Sequence, residues 1–188
     1  MVDRVSALAG HYNVGHHGAP ASDNTGVTLQ DMTGLVLHQI AAWPDTIGEV
    51  GNMAATAAGT DAAPGPRASA TGSNGTLLRI EPLKWWLFGT EALEVDPEKG
   101  NTLDVSHSRT HIRVAGPDAA NFLNRHFPID FREDSFPVGS VTSSVTHHVA
   151  CAIWRSDNGY EVFLPRGFAL TLWEGFVESA EQFGLEII

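Results

Sequence analysis

The part of the sequence that comes nearest to a catalytic constellation is a short run with a carboxylate, a hydroxyl and an imidazole. Asp104, Ser106 and His107 supply the atoms that an acyl-transfer site uses as orienting group, nucleophile and general base. If this run is a strand, Asp104 and Ser106 point to one face and His107 to the other. We therefore expect no triad here. Asp104 and Ser106 should instead hydrogen-bond to backbone groups at a strand entrance.

The nine histidines of the chain raise the question of a metal site. Two pairs are adjacent in sequence, at 16–17 and 147–148, and His107 and His111 have ligand-like spacing but no third partner nearby. No cysteine or carboxylate cluster at ligand spacing accompanies them. The pattern favours histidines at a polar surface or a subunit contact, and we expect no metal ligands.

Large aromatic and cationic side chains are the remaining candidates for binding. Trp85 and Trp86 could stack on a flavin or folate ring, but neighbouring strand residues more plausibly divide between the core and a partner surface. Because only eleven Lys and Arg face 22 Asp and Glu, each arginine should have a definite anionic partner. That partner is either an internal carboxylate, such as Asp104 or Asp130, or a neighbouring subunit. The candidate subunit-contact residues are Trp85, Trp86, His107, Arg109, Arg113, Arg155 and Arg166.

The composition narrows the class of protein. A formal net charge of −11 and a pI near 5.1 disfavour nucleic acid and anionic membrane as partners. A chain of 188 residues with 43% hydrophobic composition can bury a core, and one compact unit is expected. The single cysteine, Cys151, lies in an apolar run, which fits a reducing cytoplasm. We find no leader pattern and no stretch of about 18 apolar residues, so we expect no membrane span.

The sequence also lacks the common cofactor and phosphate motifs. The glycines between 10 and 18 are neither preceded by a strand pattern nor followed by a helix pattern, so they form no dinucleotide-binding fingerprint. No phosphate loop, paired-carboxylate site or metallohydrolase motif is present. We therefore predict neither catalytic nor cofactor-binding residues in this chain.

The elements that position these residues are clearest in the C-terminal half. Residues 109–114 alternate between apolar and basic side chains, the period of a half-buried strand. Asn158 and Gly159 suit a tight hairpin turn. We predict an α+β fold with helices on one face of an antiparallel sheet and a ferredoxin-like βαββαβ order in this half. The predicted elements are a strand at 109–114, a helix that starts at 116–118 and ends before Pro128, strands at 149–156 and 160–164, a helix at 167–183 and a strand at 185–188.

The N-terminal half has weaker signals. Residues 9–26 are rich in glycine and lack an apolar period, which is typical of an arm or loop. Residues 51–75 contain no Val, Ile, Leu or aromatic residue, so we expect a long loop. The strands predicted at 35–40, 76–80 and 85–88 need each other to fold. The predicted organisation is a flexible arm at 1–26 and a single domain at 27–188, with subdomains at 27–100, which contains the 51–75 loop, and 101–188.

A series of short motifs runs in order along the chain. They lie at 104–123, 128–130, 136–139, 152–155, 161–168, 172–174 and 181–184, with thinner matches at 27–31, 34–40 and 83–89. Together they resemble the gamma subunit of heterotetrameric sarcosine oxidase. More distantly they are similar to the glycine-cleavage T-protein, so the resemblance implies part of the folate-binding T-protein fold.

This resemblance implies a role in sarcosine catabolism and one-carbon metabolism. Enzymes of this type are cytoplasmic heterotetramers that convert sarcosine, oxygen and tetrahydrofolate to glycine, hydrogen peroxide and methylenetetrahydrofolate. FAD, FMN, NAD and tetrahydrofolate are implied in the partner subunits, and the gamma subunit is not known for a catalytic residue. The resemblance thus implies a non-catalytic assembly subunit that contacts the alpha, beta and delta subunits. Its docking surface would comprise exposed tryptophans, the basic strand face and the mobile arm.

Three alternatives remain open. The chain could be a free-standing folate-binding or aminomethyltransferase-type protein, which would need a pocket lined by a carboxylate and aromatic rings. It could be the equivalent subunit of a related dimethylglycine or N-methylglutamate dehydrogenase. A scaffold unrelated to amine oxidation would be favoured only if neighbouring genes encode no flavoprotein.

Overall fold

The computed structural model describes residues 5–18 and 25–188, which form two compact units. Unit 1 contains the described residues up to Thr33, together with Ser108–Val138 and Ser144–Ile188. Unit 2 contains Gly34–His107 and Gly139–Ser143. The strand at 27–31 thus belongs with the C-terminal half, and the boundary expected near residue 100 differs from the one observed.

The elements follow one another in chain order. The strands are β1 (Gly15–His17), β2 (Val27–Asp31), β3 (Leu37–Ala42), β4 (Ser69–Thr71), β5 (Thr76–Glu81), β6 (Lys84–Phe88), β7 (Gly100–Asp104), β8 (Arg109–Ala115), β9 (Val141–Thr146), β10 (Val149–Ser156), β11 (Gly159–Pro165) and β12 (Leu185–Ile187). The helices are α1 (Ile47–Ala58), α2 (Ala119–His126) and α3 (Ala169–Ala180), with 3-10 turns at Pro44–Thr46, Arg166–Phe168 and Glu181–Phe183. No helix among the described residues is long and apolar enough to cross a membrane.

The first sheet is mixed and has the strand order β1-β12-β2-β8-β11-β10-β9. Its strands belong to unit 1, except that the first residues of β9, 141–143, are assigned to unit 2. β8 pairs antiparallel with both β2 and β11, β10 pairs antiparallel with β11, and β12 runs parallel to β2. The predicted α+β class is confirmed. The chain order β8-α2-β9-β10-β11-α3-β12 contains the expected βαββαβ together with one additional edge strand, β9. In the sheet, β2 is inserted between β8 and β12.

Helices α2 and α3 contribute to a single apolar core with alternate residues of the sheet. Ile112 of β8 and Val162 of β11 are fully buried in this core with Phe122 of α2 and Phe176 of α3. Each such side chain contributes about 1.5–3 kcal/mol through removal from water. The helix predicted at 167–183 is present as α3, and Phe168, in the 3-10 turn before it, is 55% exposed.

Two tight turns connect the last strands of this sheet. The predicted β10–β11 hairpin is confirmed, but its turn residues are Asp157 and Asn158, and only Gly159 has a positive φ, of 142°. The β9–β10 turn is less ordinary, because His147 and His148 have φ values of 46° and 66°. Left-handed backbone is uncommon for residues other than glycine, so this turn holds local strain.

The N-terminal segment packs onto unit 1. Leu8 is fully buried in the core, and the Tyr12 ring lies 5.5 Å from that of Trp173. β1 pairs with β12 through backbone hydrogen bonds. The expectation of an arm without packing does not hold for residues 5–18, because isolated anchors and backbone pairing require no apolar period. The rest of the predicted arm at 1–4 and 19–24 lies outside the described residues.

Unit 2 is an antiparallel sheet with the order β4-β5-β6-β3-β7, which confirms the three strands expected there. The prediction of a loop over 51–75 is wrong, because α1 extends to Ala58 and β4 follows. Val50, Ala54 and Ala58 are fully buried in a cluster with Trp85. Small side chains therefore form a core face here, since the facing indole supplies the bulk.

Candidate functional site

The run that contains Asp104, Ser106 and His107 includes the end of β7 and the turn that follows it. The Asp104 Oδ1 atom accepts a hydrogen bond of 2.8 Å from the Ser106 backbone N–H. The Ser106 hydroxyl accepts one of 2.8 Å from the Leu37 N–H and donates one of 3.2 Å to the Leu37 carbonyl. Hydrogen bonds from Ser106 lower the pKa of Asp104. Both side chains thus have the backbone-binding role that the sequence predicted, while His107 is exposed.

The two adjacent tryptophans are both buried, which corrects the expectation of one in the core and one on a partner surface. Trp85, which packs in a cluster with residues of α1, is 1% exposed, and Trp86 is 3% exposed. The Trp86 indole N–H donates to the Gln39 side-chain oxygen at 3.4 Å. The tryptophan that does reach the surface is Trp43, at 47% exposure. The turn-forming Pro44 that follows it was the only sequence signal for this position.

Arg113, Arg155 and Arg166 each contact an acceptor within the chain. Arg113 Nε donates to Glu161 at 2.8 Å, and an Arg155 nitrogen lies 3.7 Å from a carboxylate oxygen of Glu133. Arg166 donates to a main-chain carbonyl near the N-terminus at 2.7 Å. Internal carboxylates, one of the two alternatives left open by the sequence, thus contact Arg113 and Arg155, although they are not the suggested Asp104 and Asp130. Arg166 binds a neutral carbonyl instead.

Arg109 and Asp130 are the remaining arginine and the remaining suggested carboxylate of the sequence prediction. Arg109 is half-buried, and burial lowers the pKa of its guanidinium. Asp130 binds Arg132 at 2.6 Å, and this contact holds the pKa of the Asp130 carboxyl far below its usual value. In the part of the chain that the structure describes, neither residue belongs to a cluster of side chains that could carry out a reaction.

A buried charged network on β8, β10 and β11 was not predicted as a unit. Glu161, 1% exposed, has one carboxylate oxygen 2.6 Å from His111 Nε2, and His111 is 3% exposed. The other oxygen accepts from Ser156 Oγ at 2.7 Å and from Arg113 Nε at 2.8 Å. The Phe163 ring stacks on His111 with 4.7 Å between centroids.

Burial alone would raise the pKa of Glu161, but hydrogen bonds from His111, Ser156 and Arg113 outweigh it, and the pKa is lowered. The carboxylate is therefore charged and held in place. The signal that could have found it was one acidic residue inside the apolar strand 160–164, directly opposite Arg113 in the register. A buried carboxylate requires such partners.

This network does not fit a folate or flavin site. Both oxygens of Glu161 are engaged within the sheet, so neither is available to a pterin ring. Trp85 and Trp86 are covered as well and present no ring face for stacking. Among residues 5–18 and 25–188, no three His, Cys, Asp or Glu side chains are grouped to hold a metal ion. The arrangement can fix three strands relative to one another, which is a structural task.

Two open clefts of unit 1 lie along α3. One, of about 470 Å³, lies beside the N-terminal segment and is lined by Trp173, Glu174, Glu181 and other residues. The second, of about 420 Å³, is lined by residues of α3 and by His126 and His147. We call this second one the α3 cleft. Burial, with smaller effects from His147 and Arg125, lowers the pKa of His126 to about 4, so its ring is neutral near pH 7.

Comparison with known proteins bears out the resemblance. The chain is 26% identical over 166 residues to sarcosine oxidase subunit gamma from Corynebacterium sp. (strain U-96), an alignment that covers 84% of this chain and 80% of that one. An aminomethyltransferase from Thermoanaerobacter sp. (strain X514) is 24% identical over 107 residues, which are 55% of this chain but 27% of the relative.

The fold shows the same similarity. Heterotetrameric sarcosine oxidase from Corynebacterium sp. U-96, in complex with pyrrole 2-carboxylate, contains a chain that matches with a TM-score of 0.79 and 19% identity. The match covers 96% of both chains. The model of the GCVT N-terminal domain family matches residues 86–188, which is more than half of the sequence. The chain therefore belongs to the GCVT N-terminal domain family.

Proposed function

We propose that this chain is a non-catalytic, structural subunit of a heterotetrameric sarcosine oxidase. The observation that carries the proposal is the extent of the match to gamma subunits, which includes 84% of this sequence and 80% of a curated relative. The fold match to a chain of the Corynebacterium enzyme covers 96% of both chains. By contrast, the match to aminomethyltransferase includes only 27% of that protein.

The chemistry of the described residues supports an assembly role. Ser106 and Asp104 are hydrogen-bonded to backbone groups, and Glu161 is enclosed by its three donors. Burial raises the pKa of the Cys151 thiol to about 12, which makes it unreactive near neutral pH. A buried, protonated thiol is also consistent with the cytoplasmic location that we propose.

In this proposal the reaction takes place in partner subunits. Sarcosine gives up two electrons and two protons to oxygen, which forms hydrogen peroxide, and its methyl carbon passes to tetrahydrofolate as a methylene group with release of glycine. The alpha, beta and delta subunits would hold FAD, FMN, NAD and tetrahydrofolate. This chain would supply contact surface, for which His107, Arg109, Arg113, Arg155 and Arg166 remain candidates.

The test is co-purification from the native cells. A tagged chain should retain large flavin-bearing subunits, and the eluate should show flavin absorbance and sarcosine-dependent peroxide. Recovery of the chain alone, colourless and able to bind tetrahydrofolate, would contradict the proposal and favour the transferase-type alternative. Activity with dimethylglycine or N-methylglutamate in place of sarcosine would assign the chain to a related complex.

A further inference from the structure

The α3 cleft has the features of a docking pocket. It lies between the C-terminal end of α2, the β9–β10 turn and α3, with a volume of about 420 Å³. Leu172 and Phe176 supply an apolar lining, and Phe168 is 55% exposed. Gly175 also lines the cleft, and a Cβ atom built on it meets nothing within 4 Å. The space above this glycine is open and suits an inserted side chain.

Two further features distinguish this cleft from an ordinary surface groove. The Nε2 atom of His126 is buried and has no hydrogen-bond partner within the described part of the chain. Beside it, His147 has a left-handed backbone with a φ of 46°. Unmet hydrogen-bonding capacity and backbone strain are both features that cluster where proteins bind something.

The charge around the cleft is one-sided. The only charged side chains of α3 are Glu174 and Glu178, and Glu181 follows in the next turn. Glu178 lines the cleft and has no ion-pair partner among residues 5–18 and 25–188. The nearby cation Arg125 lies over the Phe183 ring at 4.3 Å and donates to Gln182, so it is already engaged. These carboxylates would therefore stabilise a positive charge beside the cleft.

We propose that the α3 cleft receives an apolar side chain of a neighbouring subunit, with a lysine or arginine next to it that pairs with Glu178. The apolar group fills the space above Gly175 and covers the exposed ring of Phe168. This inference rests on the proposed function, because it takes the neighbour to be another subunit of the oxidase. A second copy of this chain is disfavoured, since a two-fold contact would bring the acidic α3 helix against itself.

The cleft can be filled without damage to the fold. Gly175→Leu places a side chain in the open space at an ordinary helical position. Gly48→Leu is the matched control. Gly48 lies in helix α1, and a Cβ atom at this position would likewise have no neighbouring atom within 4 Å. Each variant, tagged, is co-expressed with the flavin-bearing large subunits, and the flavin retained per tagged chain is measured.

We expect Gly175→Leu to lower the retained flavin at least about tenfold, while Gly48→Leu retains as much as the original chain. Glu178→Lys should lower retention by a smaller factor and weaken its salt dependence. Equal retention by Gly175→Leu and the original chain would overturn the cleft proposal and leave the proposed function intact. Failure of the original chain to retain any flavin would instead overturn the proposed function, and this inference with it.

A photo-crosslinking amino acid at Phe168, whose side chain is exposed, identifies the occupant in the assembled complex. The proposal requires a crosslink to another subunit, in a segment with a lysine or arginine next to an apolar residue. A crosslink to a second copy of this chain, or to a segment that lacks a basic residue, would refute it.

Discussion

Helices α1 and α3 have the same length of 12 residues, but α1 packs with small side chains and α3 packs with large ones. α1, in unit 2, presents small residues such as Ala54 and Ala58 to Trp85. α3, in unit 1, contributes large side chains, such as Leu172 and Phe176, to its core. The contrast shows that the bulk of a helix–sheet interface can come from either partner.

The outer faces of the two helices also differ. Glu49 of α1 pairs with Lys99 of the same unit at 2.5 Å. Glu174 and Glu178 of α3 have no ion-pair partner in the described ranges, and an open cleft lies beside them. The outer carboxylate of α1 is thus paired within its own unit, whereas the unpaired carboxylates of α3 lie at the surface that we propose for docking.

The largest expected effect comes from removal of the side chain on which α1 packs. Trp85→Ala should lower the free energy of unfolding by about 3–5 kcal/mol, because small residues of α1 cannot close the cavity. Chemical denaturation followed by circular dichroism measures this. Trp43→Ala is the control, since Trp43 is 47% exposed and its loss should cost about 1 kcal/mol or less. Equal effects of the two substitutions would contradict the packing account.

A smaller effect is expected when the tight face of α1 is overfilled. Ala54→Leu should cost about 1–3 kcal/mol, because Ala54 is fully buried and the neighbouring side chains must move. Thermal unfolding gives the change. A gain in stability would show that α1 is loosely packed and would remove the main contrast with α3.

The two units should also differ in their response to acid. Because the folded pKa of Glu161 is lowered, its stabilising contribution is complete above its ordinary value of 4.5 and is lost as pH falls through the folded pKa. Glu161→Gln should therefore flatten the fall in melting temperature between pH 5 and pH 3. Glu49→Gln, at the exposed pair on α1, should leave that fall almost unchanged. Identical acid profiles for the two variants would rule out the buried network as the source.

The smallest expected effect is a gain. Gly175→Ala should raise the free energy of unfolding by about 0.5–1 kcal/mol, because it replaces a helical glycine whose Cβ position is open. Gly51→Ala in α1 should gain less, since its Cβ would lie 3.4 Å from Ala63 and 3.5 Å from the Trp85 ring. Denaturant titrations of both variants test the difference. A larger gain at Gly51 would reverse it.

The sequence predicted the elements that have a strong local signal. The alternation at 109–114, the hairpin signal at Asn158 and Gly159 and the large residues of α3 each indicate one structure. All three elements are present, although the turn itself is formed by Asp157 and Asn158. α1 was missed because its core face is alanine, which has no visible hydrophobic period without knowledge of Trp85. The packed N-terminal segment was missed because its pairing with β12 is made by backbone groups.

The site was harder to predict than the fold because it depends on register. The Glu161 network joins residues of three strands, and only the pairing of β8 with β11 places Glu161 opposite Arg113. Burial of Trp85 likewise depends on α1, a helix that the sequence did not predict. The α3 cleft is formed by residues of α2, a strained turn and α3, so no single sequence motif predicts it.

The central claim, that this chain serves assembly and not catalysis, is tested most directly by its omission. The large flavin-bearing subunits are expressed with and without the chain, and the mass of the assembly and its sarcosine-dependent peroxide production are compared. The account predicts that omission leaves an incomplete assembly with impaired activity, and that purified chain restores both. A complete, fully active assembly formed without this chain would contradict it.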